Sequence, residues 1–247
     1  IWFSGRSDTT HSQGEQFVLG GSVLWSTQDP VAIANVVALN NAGNSALTGW
    51  GLNTMRATLY SDVNSTPLWD FSTGQYDPFV DISSDGSKIA VTAGTDFYLL
   101  DPTNGNINFQ FTLPDSLYAS AVTLSRDGSM AVVLAQALGS STTYRAYAFD
   151  ISSTPSVEWM FDVQGSEILN WAGANFSADG SNVAVTGRNH LYIFNSLDGT
   201  LIWDHFVDNT ESAPGISGDG KVVVTADNSG FVQTWQFDSQ TNEYFLL

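Results

Sequence analysis

SSDGSKIAV (residues 83–91) returns along this 247-residue chain as SRDGSMAVV (125–133), SADGSNVAV (177–185) and SGDGKVVVT (217–225). Each copy is a polar turn running into an apolar strand. In the turn, Asp accepts hydrogen bonds from backbone N–H groups just ahead of it. Gly supplies the positive φ that a tight hairpin needs. The turn residues Asp85, Gly86, Asp127, Gly128, Asp179, Gly180, Asp219 and Gly220 recur too regularly for one active site, and their role reads as structural. With Gly43 of the degenerate copy NNAGNSALTG, the turn glycines are spaced by 43, 42, 52 and 40 residues. A second marker keeps the same period. Aromatic-centred runs at Trp25, Trp69, Phe109, Trp159, Trp203 and Tyr244 are spaced by 44, 40, 50, 44 and 41.

Each period holds four short β-like runs, for example PFVDIS, KIAVTA, DFYLLD and INFQFTL between residues 78 and 113. They are rich in Val, Ile, Phe, Tyr and Thr and are bounded by Gly, Asp, Asn and Pro. Four antiparallel strands at this period are the signature of a β-propeller blade. The S-x-D-G-x-x-x-A-V unit resembles the repeats of WD-type and surface-layer-type propellers. NSLDGTLIW (195–203) is similar to the pyrroloquinoline-quinone-type repeat, in which a glycine-bearing turn precedes a Trp-bearing outer strand. The resemblance covers nearly the whole chain and implies a fold shared by enzymes, lectins, scaffolds and adhesion modules. The vicinal Cys pair of the quinone enzymes is absent, so their activity is not carried over.

The expected fold is all-β: one six-bladed propeller domain over 1–247. Five complete four-stranded blades fall at 33–72, 79–113, 119–163, 170–207 and 213–247. A sixth, at 1–27, has three runs and lacks its inner strand. Neither terminus supplies that strand. The chain, opening at Ile1, reads either as processed or incomplete, or as a subunit whose seam blade is completed by a neighbour's strand. An unpaired sheet edge is a template for strand addition, and head-to-tail donation builds open fibres.

Composition narrows the function classes. There are 25 acidic residues against 7 basic ones, a net charge of −18. Such a surface repels nucleic acid and anionic lipid. No apolar run approaches a membrane span. With no Cys, there is no disulfide, thiolate metal site or Cys nucleophile. Richness in Ser, Thr, Asn, Asp and Gly, with two lysines, points to an extracellular or cell-surface protein.

Candidate chemistry is sparse. His11 and His190 fall in loops and read as solvated, and His205 lies in an outer strand; no metal-binding His spacing occurs. Asp29, Asp77, Asp115, Glu167 and Glu211 lie in the connections from outer strands to the next inner strands, which propeller geometry gathers on one face. They read first as polar turn chemistry. A ring of acids there could also bind Ca²⁺ or act as an acid–base pair on a glycan. Tyr76, Tyr118, Trp171 and Trp50 sit near connections and are candidates for an exposed contact surface. The outer-strand Trp and Phe residues read as blade-to-blade packing. Asn64, in SDVNSTP, is a candidate glycosylation site; Asn175 falls in a strand.

These readings converge on a non-enzymatic, extracellular structural or adhesion propeller. It would need no cofactor, act through protein contacts and self-associate at the seam blade. The alternative is a ligand-binding propeller, lectin-like or Ca-dependent, or a glycan-acting enzyme that uses the acidic connection face.

Overall fold

The computed structural model describes residues 2–6, 12–17, 23–29, 31–137, 144–163, 173–187, 189–207, 213–227 and 229–247; before Trp25, and at Gln28, the description is of the backbone alone. The first sheet is β1 (Trp2–Arg6), β2 (Ser12–Phe17) and β3 (Val23–Asp29). The second is β4 (Ala32–Leu39), β5 (Ser45–Leu52), β6 (Met55–Ser61) and β7 (Pro67–Gly74). In the third are β8 (Phe79–Ile82), β9 (Ile89–Ala93), β10 (Asp96–Leu100) and β11 (Ile107–Thr112). The fourth has β12 (Leu117–Leu124), β13 (Met130–Ala137), β14 (Tyr144–Asp150) and β15 (Ser156–Val163). The fifth has β16 (Ala174–Phe176), β17 (Asn182–Gly187), β18 (His190–Asn195) and β19 (Leu201–Phe206). The sixth has β20 (Gly215–Ile216), β21 (Val222–Ala226), β22 (Val232–Asp238) and β23 (Glu243–Leu246).

Every sheet is an antiparallel meander whose spatial order is its sequence order. The five four-run segments are the five four-stranded sheets, within a few residues at their ends. The three runs at the start of the chain are the three-stranded sheet. The chain divides into two compact units, 1–112 with the first three sheets and 113–247 with the last three. In the first unit β4 packs beside β1 and β8; in the second, β16 packs beside β12 and β20.

Burial explains the composition of the strands. The second strands β5, β9, β13 and β17 are buried almost throughout, so IAVTA and NVAVTG read as continuous small and apolar runs. Outer strands such as β11 and β15 alternate, with one face packed and one wet.

The repeated turn is a hydrogen-bonded unit. Ser83 Oγ donates to Asp85 Oδ1 at 2.7 Å and accepts the Lys88 N–H at 3.0 Å, while Asp85 Oδ1 accepts the Ser87 N–H at 2.9 Å. Ser125 with Asp127, Ser177 with Asp179 and Ser217 with Asp219 repeat this. The glycine that follows has φ of 76°, 68°, 73° and 71° in the four copies. In the degenerate copy Asn40 stands in for Ser: its Oδ1 accepts the N–H groups of Asn44 and Ser45 at 3.1 and 3.2 Å.

A β-bulge also repeats. In the first five sheets the register between the outer strand and the strand before it slips one residue just before the aromatic marker, at Trp25, Trp69, Phe109, Trp159 and Trp203. β23 pairs with β22 without a slip, and Tyr244 lies opposite Phe237. Tyr244 keeps the period in sequence but occupies a different strand position.

Candidate functional site

Asp29 closes β3. Its Oδ1 accepts the Val31 N–H at 2.8 Å, and its Oδ2 lies 2.8 Å from Arg56 Nη2 and 3.3 Å from Thr54 Oγ1. Arg56 also reaches Asp70 Oδ1 with Nε at 3.3 Å, and its guanidinium lies 5.1 Å from the centre of the Trp50 ring. Partial burial pushes the Asp29 carboxyl up, but the Val31 N–H and Arg56 outweigh it and hold it below the ordinary value. A carboxylate engaged in this way is a poor proton donor and a poor cation ligand. Trp50, expected near an exposed surface, is instead buried in a cluster with Ala32, Ala34, Ala46 and Tyr60, and Arg56 from the neighbouring strand lies over its ring.

Asp77 is exposed between β7 and β8, and its Oδ1 accepts the Leu52 N–H at 3.3 Å. It abuts Gly51, where a Cβ would lie 2.3 Å from that oxygen. Tyr76 beside it is half exposed and lays its ring over Gly94. Asp115, in the second unit, is exposed in a single 3₁₀ turn, Pro114–Ser116, with φ 57°. Tyr118 is half-buried in β12. Glu167, Glu211, Trp171 and His11 lie outside the described residues. Among the described residues no group of three or more His, Asp or Glu side chains could hold a metal ion.

His190 is not a loop residue. It opens β18, half-buried, stacked on Tyr192 at 5.5 Å and edge-on to Phe206 at 5.7 Å. His205 stacks on Trp203 at 5.3 Å. Asn64 is exposed, and its Oδ1 accepts the Thr66 N–H at 2.8 Å. Asn175 donates Nδ2 to the Pro214 carbonyl at 2.8 Å, a contact between successive sheets.

The outer-strand tryptophans join sheets. Trp25, Trp69 and Trp159 each donate the indole N–H to a carbonyl in the third-to-outer-strand turn of the next sheet: Asp62 at 3.2 Å, Pro102 at 3.0 Å and Ser196 at 2.8 Å. Trp69 seats on Gly105 and Trp159 on Gly199, both at positive φ, with no room for a Cβ. At the junction of the fifth and sixth sheets the pattern changes. Asn242, φ 61°, holds the position of Gly105 and Gly199. Trp203 packs on Tyr244 and Trp235, 5.2 and 6.2 Å away. A cavity of about 430 Å³ opens there. Reading residue by residue did not find it. Aligning the turns DPTNG, NSLDG and DSQTN would have shown Asn where the others have Gly.

No protein-family model matches the chain, and no curated protein matches it by sequence. Solved structures do match. A chain of the mitotic checkpoint complex superposes with TM-score 0.74 at 12% identity, over 96% of this chain and 73% of that one. For a chain of the hydrazine synthase of Kuenenia stuttgartiensis the values are 0.67 and 13%, over 83% and 71%. For the Cps50 (Swd1) β-propeller domain of Myceliophteria thermophila they are 0.63 and 9%, over 83% of this chain and 65% of that one. At such identities the likeness carries the fold alone. Together with the repeated four-stranded meanders, it makes this chain a β-propeller repeat protein.

Proposed function

We propose that the chain is a non-enzymatic protein-contact propeller that associates with further copies of itself. One observation carries this reading. The sixth sheet buries one face, Val223, Trp235 and Tyr244, against the fifth. Its other face holds Val222, Val224, Ala226, Val232 and Phe245, with Thr234 and Gln236 of the central strand between them. Val232 is 69% and Phe245 47% exposed, and Leu247, whose N–H donates to the Thr234 carbonyl, is 67% exposed. Exposed large apolar residues grouped on one sheet face mark a contact surface. The edge of β1 supports the same reading, because its backbone groups can accept a strand from a neighbour. Similar folds include a chain of a multi-protein complex and one of an enzyme, so the fold leaves both classes open. Asp29, one of the acids on the connection face, is engaged by Arg56, which supports contact over catalysis at that position. The composition, rich in Asp and poor in Lys, supports an extracellular place for such a subunit, and strand donation at the seam would build a fibre.

Sedimentation velocity tests this over a concentration series, on the wild type and on Val232→Asp and Phe245→Asp. Concentration-dependent high-mass species that disperse in the variants, at an unchanged unfolding midpoint, support it. A wild type that stays monomeric at every concentration contradicts it.

A further inference from the structure

We infer that the cavity between the fifth and sixth sheets is a binding site for a neutral saccharide unit. It is separate from the exposed apolar face, since it opens on the side of the sixth sheet that meets the fifth. Two of the residues there differ from those of the preceding junction. Met130, the first residue of β13, is buried against Trp159 and Phe194 at the junction of the fourth and fifth sheets. Its counterpart, five residues after the turn Ser in the next repeat, is Asn182, shorter and polar. Gly199, the seat of Trp159, becomes Asn242. Trp159 packs at 5.4 Å on Phe194; by register Trp235 is the counterpart of Phe194, and Trp203 lies 6.2 Å from it and 5.2 Å from Tyr244, with Phe237 lining the cavity.

The lining selects the ligand class. Asn182, Thr200 and Asn242 offer both donors and acceptors. Asp219 and Lys221, with Oδ2 and Nζ 3.6 Å apart, add an acceptor and a donor whose charges cancel. Phe237 supplies one apolar wall. Hydroxyl groups donate and accept at once, and a pyranose ring also has an apolar face, so a neutral sugar uses every wall. A net-charged ligand would meet no uncompensated opposite charge. The volume falls in the range of small-molecule sites. Its walls come from β17, β19, β22 and β23 and from the turns that carry Thr200, Asp219, Gly220, Lys221 and Asn242.

Calorimetric titration tests this with the methyl glycosides of glucose, galactose and mannose, and with glucuronate as the charged control. Two variants restore the residues of the preceding junction: Asn182→Met adds bulk to the wall, and Asn242→Gly removes one of its polar side chains. The expected result is saturable binding of at least one neutral glycoside, weakened at least tenfold in each variant and unaffected by Phe245→Asp, with glucuronate at least tenfold weaker. No binding by any of the three glycosides, binding that neither variant weakens, or glucuronate bound as tightly would each overturn the assignment. Because Phe245→Asp alters assembly and the two asparagine variants alter the cavity, the two proposals fail independently.

Discussion

At the scale of single residues, the fold depends on a few contacts between sheets. Trp159 is the clearest: buried, N–H donated to the Ser196 carbonyl at 2.8 Å, ring against Gly199. Trp159→Phe keeps most of the apolar area but leaves that carbonyl without its donor. Denaturant midpoints should show a loss of about 1–3 kcal/mol. Gly199→Ala should cost at least as much. It forces a side chain onto φ 69° and places a Cβ 2.6 Å from the indole. Arg56→Ala leaves Asp29 and Asp70 without their cation and uncovers Trp50, and the same measurement should show a loss of about 1–2 kcal/mol. The burial of Trp50 was not legible in the sequence, where it stands near a connection. It comes from the cluster with Ala32, Ala34, Ala46 and Tyr60 and from Arg56, the residue opposite it on the next strand, whose guanidinium also bridges to two other strands.

At the scale of the element, the repeated turn holds each first strand to its second. The Ser87 N–H, followed by the Ser83 hydroxyl, holds the Asp85 carboxyl down at about 2, against an ordinary 3.8. At Asp127 burial works the other way, but the bonds from Ser125 and Ser129 still lower it. Asp179 and Asp219 are lowered by their serine hydroxyls and the N–H groups of Ser181 and Lys221. A carboxyl lowered by folding stabilises the folded state fully above its unfolded value, and that stability is lost as pH falls through the folded one. Thermal midpoints should therefore drop steadily as the pH is lowered from about 4 to about 2. Replacing Asp127 and Asp179 together by Ala should flatten that slope; an unchanged slope would assign it to other carboxyls. These elements were legible in the sequence because turn and strand are local: S-x-D-G and the apolar run after it specify one hairpin. The missing bulge in the sixth sheet was not legible. Tyr244 preserves the spacing of the aromatic marker while pairing at a different position, and only the register reveals it.

At the scale of the whole molecule, an apolar face on a chain of net charge −18 sets two forces against each other. Burial of that face favours association; like charge opposes it and is screened by salt. Association should therefore strengthen as salt rises from about 0.02 to 0.5 M, the reverse of what a contact built on ion pairs would do. Light scattering across that range distinguishes the two. The contact surface itself was not visible in the sequence, because VVVTA in β21 has the same composition as the strands that are covered on both faces. The most direct test of the account is electron microscopy of the wild-type chain beside Phe245→Asp. The account predicts regular assemblies of the wild type, with the outer face of the sixth sheet at the contact between subunits, and isolated particles of the variant. Isolated wild-type particles, or assemblies that the variant leaves intact, would contradict it.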